Sequence, residues 1–485
     1  MSRDGGSLSL LRQLDLSDRL LLAAVVLLPW AFGGIEIWAS RAAQLLIVAA
    51  VIARYSDAGE FGRSILRRRG IAVPVVLLGL LAVLQLVPLP LSLIETLSPQ
   101  TGAIYRQVGL DDGKIGVAEL ETIAREQLPE VASIEEPSRT DVRFSELPQL
   151  EASRSPTLSL LPEATAERLI WFAVLFLAFV LVSDRARKRE RRRAIQTVLL
   201  ANCLALALFG IVDAAAGNGK LYWIRDTVQQ ARPLGPYVNP TNFGSLMALA
   251  SPWALALAWR QWQRQGRVTL SMLSVTAVMT ALGAMLSASK AVAVFLLVSW
   301  LIVALAMLRQ MRQRLIVVGL VVALAVVAVP VLRNTELGER WGQFLTTTGG
   351  AVSETERGVG VQAILPMVQD YPLFGVGVGA FQEVFPRYTP AGASARLRHA
   401  HNDYLELAVE LGLPALLLAL VLLFRWGWES GRNVLRSRGR IGLAVGLATM
   451  IAHALVDFNN QIPANGLLFV TTAALLITPS ERSRR

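Results

Sequence analysis

Residues 291–308 read AVAVFLLVSWLIVALAML, an uninterrupted run without a single charged side chain. At 1.5 Å of rise per residue, this run is about 27 Å long as an α-helix, which is close to the thickness of the hydrocarbon core of a bilayer. Its apolar residues are continuous rather than alternating, and lipid satisfies no open backbone hydrogen bond, so a β-strand is excluded. The stretch therefore predicts a membrane-spanning helix.

Similar apolar runs recur along the whole chain, for example at 20–30, 315–331 and 411–424. Of the 485 residues, 53% are hydrophobic and only 17% are charged, and the mean hydropathy is +0.48, whereas a soluble domain of this length needs far more polar surface. The composition predicts an all-α integral membrane protein with about 12 transmembrane helices. The predicted spans are 18–36, 40–54, 71–94, 166–183, 194–213, 241–259, 268–286, 290–308, 314–333, 403–424, 441–458 and 462–478.

The basic residues are concentrated in short connectors that alternate with long polar ones. The connector at 184–193 reads DRARKRERRR, which is typical of the positive-inside pattern and places these connectors in the cytoplasm. With an even number of spans, both termini are also cytoplasmic, and the long connectors 95–165, 214–240 and 334–402 lie on the outer side. The net charge of +11 is thus explained by membrane topology, and nucleic acid is not an expected partner.

The predicted order of spans and loops divides the chain into five segments. Helices 1–3 occupy 1–94, and a polar loop or small domain rich in Glu, Asp, Pro and Ser follows at 95–165. Helices 4–9 occupy 166–333, and the outer loop 334–402 carries candidate catalytic residues. Helices 10–12 occupy 403–485.

Two of the three histidines lie where this outer loop enters a predicted span. His399 and His401 belong to the motif RLRHAHNDYLE at 396–406. A His-x-His metal site is one interpretation, but no third ligand stands at a characteristic spacing. Cys203 is the only cysteine, so an intrachain disulfide is impossible and a structural zinc site is disfavoured.

Three polar residues around the start of the predicted helix 403–424 share one face. Asn402, Glu406 and Glu410 are spaced four apart, and a helix that crosses the membrane here places both carboxylates near its outer end. Carboxylates at that depth face the protein interior or a wet cavity, which makes them functional candidates. The alternative is a shallow helix whose carboxylates lie among lipid head groups.

The third histidine, His453, lies four residues before Asp457, near the outer end of the next predicted span. A carboxylate that accepts a hydrogen bond from an imidazole fixes its tautomer and raises its basicity. The pattern therefore predicts either a catalytic pair or a buried polar pair that ties two helices together.

Three basic residues on the predicted outer side run against the positive-inside bias. Arg232 lies in ARPLGPYVNPTN at 231–242, which also contains Asn239; Lys290 follows a serine-rich turn; and Arg357 opens a glycine-rich segment. A guanidinium fork matches phosphate oxygens, so a converging set of these cations suits a lipid diphosphate. The alternative is that their side chains extend to lipid head groups.

These same residues resemble the motifs of the O-antigen ligase and polymerase family of bacterial envelope glycosyltransferases. His401-Asn402 is followed at the family's spacing by Gly412, although Ala415 departs from the ligase pattern. Arg232 and Arg357 lie in segments similar to the two arginine motifs, and Lys290 stands where relatives often have Arg. The resemblance covers about residues 80–475, including the segments that flank the large polar loop.

The resemblance implies a GT-C-like enzyme that moves a glycan from undecaprenyl diphosphate to an acceptor hydroxyl without a nucleotide sugar, metal or other cofactor. The acceptor is lipid A–core in ligases and a second lipid-linked repeat in polymerases, and the sequence leaves this choice open. It also implies a multi-pass protein of the bacterial inner membrane with its active site facing the periplasm. Residues expected to be catalytic are His401, Arg232, Arg357 and Glu406. Residues expected to bind substrate are Lys290, His399, Asn402, His453, Asp457 and Asn239.

His401 is expected either to take the proton of the acceptor hydroxyl, oriented by Glu406 or by the His453–Asp457 pair, or only to position the substrate. A secondary transporter is the main rival class, and it predicts midplane charges and broken helices at matching positions of two repeats. Here the polar residues gather at one membrane face and no repeat is visible. A structural or assembly partner is the third alternative. The glycines at 375, 377 and 379 do not form a dinucleotide-binding fingerprint and instead indicate a tight backbone path.

Overall fold

The protein is α-helical throughout the part of the chain that the computed structural model describes, which confirms the predicted class. The described residues are 14–55, 58–67, 69–107, 156–226, 233–263, 267–308, 310–312, 356–389 and 397–479. Within these ranges no strand forms, and only two isolated bridges occur. The predicted span 314–333, most of the polar loop 95–165, and Arg232 lie outside the described residues.

Seventeen α-helices make up the described ranges. They are α1 Leu16–Trp30, α2 Ile37–Arg54, α3 Ala58–Leu66, α4 Arg69–Leu84, α5 Leu91–Leu97, α6 Pro99–Gln107, α7 Pro162–Arg185, α8 Arg189–Ala216, α9 Pro240–Trp262, α10 Arg267–Leu286, α11 Lys290–Met307, α12 Glu356–Asp370, α13 Phe381–Val384, α14 Asp403–Leu411, α15 Leu413–Arg436, α16 Ile441–His453 and α17 Pro463–Ile477.

Five described helices, α2, α7, α8, α11 and α15, are long and apolar enough to cross a membrane, and α4, α16, α17 and most of α10 are shorter apolar helices. Large apolar side chains on these helices point outward: Leu297 is 66% exposed and Leu417 is 63% exposed. Such surfaces are expected to contact lipid acyl chains. The chain is therefore a membrane protein, while the number of about twelve spans stays a prediction.

Helix α9 lies at the centre of the bundle. It packs against α8, α10, α11 and α16, and most of its residues from Asn242 to Ala258 are buried. Gly442 and Gly446 of α16 face its backbone so closely that a Cβ at either position would collide with the carbonyls of Pro252 and Leu249. Small residues at such crossings are typical of membrane helix packing, because they let two backbones approach.

The predicted span 71–94 is two helices rather than one. Helix α4 ends at Leu84, and α5 begins at Leu91. Pro88 and Pro90 lie between them, and proline lacks the backbone N–H that a continuous helix requires. The chain turns at Gln85 instead, whose buried side chain contributes to the site described below.

The predicted helix 403–424 is also interrupted, at Gly412, which has a φ of 85°. Pro414 cannot donate to the Glu410 carbonyl, so a continuous helix would leave that group open. The carbonyls of Val409 and Glu410 instead accept from Val376 and Gly377, at 2.9 and 3.1 Å.

The exchange at this break is mutual, because the freed N–H of Leu413 donates to the Pro372 carbonyl at 2.8 Å. The interruption is thus satisfied by the segment 372–377 rather than by solvent, as backbone at membrane depth requires.

The bundle has two chemically different ends. The C-terminal ends of α2 and α7 lie together at one end, where Arg54 pairs with Asp184 at 2.8 Å and Arg185 with Asp18 at 2.6 Å. The other end holds the start of α7, the end of α16 and residues 399–406, and it is called the site end below. About 25 Å of helix separates Arg168 from Arg185 along α7.

Candidate functional site

The site is built where the start of α14 packs against the end of α16. Asn402 caps α14, since its Oδ1 accepts from the N–H groups of Tyr404 and Leu405, both at 3.0 Å. Its Nδ2 donates to the Leu455 carbonyl at 2.9 Å, and the N–H of Asp403 donates to the Ala454 carbonyl at 2.9 Å. The open carbonyls at the end of α16 are thus satisfied by α14, and this fixes the two helix ends relative to each other.

His401 lies beside Asp457 at this junction. Its Nδ1 is 3.4 Å from the Asp457 Oδ1, and its ring packs edge-on against Phe458, with ring centroids 5.0 Å apart. The backbone of His401 has a φ of 50°, a left-handed conformation that is uncommon outside glycine. The side chain remains 24% exposed, so the imidazole is held by one edge and accessible at another.

Asp457 itself is buried, and its carboxylate is charged. Burial acts to raise the pKa of Asp457, but the facing imidazole of His401, the N–H of Phe458 and the charge of His453 together lower it below its ordinary value. The N–H of Phe458 donates to Oδ1 at 2.9 Å. A buried charged acceptor next to an imidazole favours the tautomer with its proton on the facing nitrogen.

His399 has a different carboxylate partner. Its Nδ1 lies 2.7 Å from the Glu406 Oε1, and the Glu406 Oε2 accepts from the N–H of Ala400 at 2.8 Å. The His399 ring stacks on the ring of the same Phe458, with ring centroids 4.4 Å apart. Glu406 therefore orients His399, and it is Asp457 that lies next to His401.

The two histidines contact the same phenylalanine, but each lies next to a different acid. Among the residues that the structure describes, no group of three or more His, Cys, Asp or Glu side chains is arranged to hold a metal ion.

The predicted pairing of His453 with Asp457 is not what the structure shows. Helix α16 ends at His453, so the four-residue spacing no longer places the two side chains on one helix face. The Nδ1 of His453 contacts the Ser245 hydroxyl of α9 and the Asn459 amide, the latter at 2.7 Å. His453 is buried and links two helices, which agrees with the tying role that the sequence left open.

A second acid of the junction, Asp403, is half-buried at the first position of α14. Its Oδ2 accepts from the backbone N–H and the side-chain amide of Asn460, at 3.3 and 3.0 Å. Burial, together with the nearby charge of Glu406, raises the pKa of Asp403 to about 8. The site thus contains one acid that is held charged, Asp457, and one that is held protonated near neutral pH.

Gln85 holds the glycine-rich segment against α14. Its Nε2 donates to the carbonyls of Phe374 and Glu410, and its Oε1 accepts from the N–H of Val378 at 3.2 Å. Gly377 lies so close to Ser159 that a Cβ would collide with it, as the tight backbone path predicted. The start of α7, the end of α4 and α14 are connected through this segment.

Glu410 is buried below the site and faces the same segment. Its Oε1 accepts from the N–H of Phe381 at 3.4 Å, and the Arg168 guanidinium is near enough to interact with its charge. The structure therefore places both Glu406 and Glu410 in the protein interior, and the shallow alternative among lipid head groups is wrong.

Arg168, near the start of α7, is a cation of the site end that the sequence analysis missed. Its guanidinium donates to Gln461 at 3.5 Å, and its stem lies under Gly379. The signal was available, because Arg168 stands just inside the outer end of a predicted span, where a basic residue is unusual.

The other predicted residues are positioned in part. Asn239 caps α9 by accepting from the N–H of Thr241 at 2.9 Å, and Lys290 is the first residue of α11. Arg357 lies in the first turn of α12, and its side chain is outside the described part, as is all of Arg232. Phe295, one helical turn beyond Lys290, packs against His453, so Lys290 lies toward the site end.

Comparison with known proteins agrees with the resemblance seen in the motifs. Residues 275–420 match the family model described as O-antigen ligase. The match includes Lys290, Arg357, His401 and Glu406, and it supports assignment of the chain to the O-antigen ligase and polymerase family, as predicted. No curated protein matches the chain.

Proposed function

We propose that this member of the O-antigen ligase and polymerase family transfers a glycan from undecaprenyl diphosphate to an acceptor hydroxyl at the periplasmic face of the inner membrane. The observation that carries the proposal is the position of His401. It stands beside the buried carboxylate of Asp457, at the end of the bundle where α14 and α16 meet, inside the family-matched segment.

The proposed role of His401 is that of a general base. Asp457 holds the Nδ1 edge of the ring, so Nε2 is the nitrogen left to accept a proton. The acceptor oxygen attacks the anomeric carbon, its proton passes to Nε2, and the bond between that carbon and the diphosphate oxygen breaks. The bond electrons leave with undecaprenyl diphosphate.

The leaving group gains negative charge as this bond breaks, and fixed cations stabilise it without a metal ion. The proposed cations are Arg232 and Arg357, with Lys290 and Arg168 in support. Among these, Arg168 is the one whose side-chain contacts are described at the site end. A guanidinium binds two phosphate oxygens at once, which suits it to a diphosphate.

The remaining predicted site residues then act mainly by holding these groups in place. Asn402, Asn239 and His453 use their described side-chain atoms in helix caps and helix–helix hydrogen bonds. Glu406 orients His399, whose stacked ring borders the acceptor side of the site. We therefore assign His399 to substrate positioning and Glu406 to positioning His399.

The break between α14 and α15 bears on the rival transporter function. In transporters, the backbone groups freed by a broken helix bind substrate or coupling ions. Here the carbonyls of Val409 and Glu410 are occupied by Val376, Gly377 and Gln85. The break therefore serves to seat the glycine-rich segment, which favours the transferase.

Ladder analysis of lipopolysaccharide from a strain that lacks this protein tests the proposal and separates its two forms. A ligase predicts rough core together with free lipid-linked polymer. A polymerase predicts core that carries a single repeat. Lipid-linked intermediate trapped on the cytoplasmic side would indicate export instead and would remove the proposed transfer.

A further inference from the structure

A strongly basic cavity of about 510 Å³ lies at the opposite end of the bundle from His401, between α2, α3 and α7 and the start of α8. Six basic and two acidic residues line it, and the transfer chemistry uses none of them. They are Arg54, Glu60, Arg67, Asp184, Arg185, Arg187, Lys188 and Arg191.

Four carboxylates of the described residues form close ion pairs with cations of this cavity. Arg54 pairs with Glu60 and Asp184, both at 2.8 Å. Arg185 and Arg191 share the two acids of the α1 start, Asp15 and Asp18. Among the residues that the structure describes, these four carboxylates pair most closely with three of the six cations, Arg54, Arg185 and Arg191.

Arg67 and Lys188 are the cations least engaged by these acids. Arg67 is 3.8 Å from Asp184, and its side chain is 47% exposed. Lys188 precedes α8 and is exposed. Both can therefore reorient toward an anion at little cost to the fold.

The surroundings of the cavity are apolar on the lipid side. An adjoining cavity shares Arg67, Asp184 and Arg187 and continues past Val180 and Pro479. Ile52 and Leu66, which lie two and one residues before the cavity-lining Arg54 and Arg67, are both 69% exposed. A molecule with both a charged group and acyl chains matches this pattern better than a fully soluble anion does.

Ser183 contributes a polar group to the adjoining cavity. It lines the adjoining cavity and is buried, and its hydroxyl has no hydrogen-bond partner among the residues that the structure describes. A buried hydroxyl normally finds a partner, so this oxygen is available to a bound ligand.

We infer that this cavity binds the phosphodiester head group of an anionic glycerophospholipid. Arg67 and Lys188 contact the phosphate, Ser183 hydrogen-bonds the head group, and the acyl chains lie along Ile52 and Leu66. Basic cavities between membrane helices on the positive side are suited to such head groups. The inference is independent of the proposed transferase function, because the site lies at the other end of the helices.

The test measures lipid binding by the full-length purified protein in detergent. Native mass spectrometry detects retained lipid, and thermal unfolding detects stabilisation. Phosphatidylglycerol, phosphatidylcholine and inorganic phosphate are titrated separately. The variant R67Q/K188Q removes the two cations that contact the phosphate in this inference, and R189Q/R432Q removes two charges from exposed residues that do not line the cavity. We expect phosphatidylglycerol alone to be retained and to raise the unfolding midpoint of the wild type.

In R67Q/K188Q the apparent affinity for phosphatidylglycerol is expected to fall about thirtyfold, since each basic side chain near an anionic lipid contributes roughly a fivefold gain. The control R189Q/R432Q should keep wild-type affinity. An equal loss in the control would show a bulk charge effect and overturn the inference. Equal stabilisation by inorganic phosphate or by phosphatidylcholine would overturn the assignment to an anionic lipid.

Discussion

The Nδ1 atom of His401 lies 3.4 Å from the Oδ1 atom of Asp457, across the junction of α14 and α16, although the two residues are 56 positions apart in sequence. The Phe458 N–H and the neighbouring imidazoles outweigh the effect of burial and lower the pKa of Asp457, while His401 keeps an accessible edge. This arrangement orients an imidazole for proton transfer, and it explains why a left-handed backbone is retained at His401.

Replacing Asp457 with Asn tests that relationship. The amide keeps the shape but loses the charge that stabilises the protonated imidazole, so we expect glycan transfer to fall by roughly 10²- to 10⁴-fold. Initial rates in proteoliposomes measure the effect. The matched control is Y388F, which removes a hydrogen bond to Asp370 outside the α14–α16 junction and should transfer normally. Transfer within a few-fold of wild type in D457N would assign Asp457 a purely structural role.

The sequence predicted most helices to within a few residues, because long apolar runs leave few alternatives in a membrane. It missed the break at Gly412, since Gly412 and Pro414 lie inside an apolar run and averaged hydropathy hides them. The hydrogen bonds that compensate the break come from residues 372–377, a contact between segments that periodicity cannot reveal.

The sequence indicated which residue types gather at this end of the bundle, but it did not indicate which of these residues contact each other. The sequence predicted that Glu406 or the His453–Asp457 pair orients His401. In the structure Asp457 lies beside His401, while His453, at the end of α16, contacts Asn459 instead. Phe458, whose ring contacts both histidine rings, carried no sequence signal because aromatic residues are common near membrane surfaces. Spacing along the sequence identifies candidate residues, but the positions where helices end determine which of these residues are in contact.

Gly412→Ala should destabilise the protein. The left-handed backbone costs a non-glycine residue about 1–3 kcal/mol, and the added Cβ also collides with the Leu373 carbonyl. Thermal unfolding in detergent measures the loss. Gly427→Ala, on α15 with open space around it, is the matched control and should be neutral or slightly stabilising. Equal stability of the two variants would mean that the break at 412 is not required.

Arg168→Gln should weaken binding of the donor. Arg168 is proposed to contact the diphosphate, so its loss raises KM for the lipid-linked glycan by about tenfold, in line with the free energy of a charged hydrogen bond. Arg168→Lys should recover part of the affinity. Arg41→Gln is the control, since Arg41 pairs with the neighbouring Glu167 at the same end. A change in kcat alone, with KM unaltered, would contradict diphosphate binding.

Asp403 should make stability depend on pH. Its pKa of about 8 in the folded state lies above its ordinary value of 3.8, so between these values the folded protein holds a proton that the unfolded chain has lost. Stability therefore falls as pH rises through this window and levels off above it. Unfolding midpoints between pH 5 and 8 should decline less in D403N. An unchanged slope in D403N would show that another group is responsible.

The most direct test of the central claim is in vitro transfer by His401→Ala. The purified wild type, reconstituted in proteoliposomes with undecaprenyl-diphosphate-linked glycan and lipid A–core or a second lipid-linked repeat, is expected to form the product in one of these two mixtures. H401A is expected to have the same unfolding midpoint as the wild type. In the mixture that gives product, its transfer rate is expected to be at least about 10²-fold lower. Transfer at a near-normal rate by folded H401A would contradict the assignment of His401 as the base.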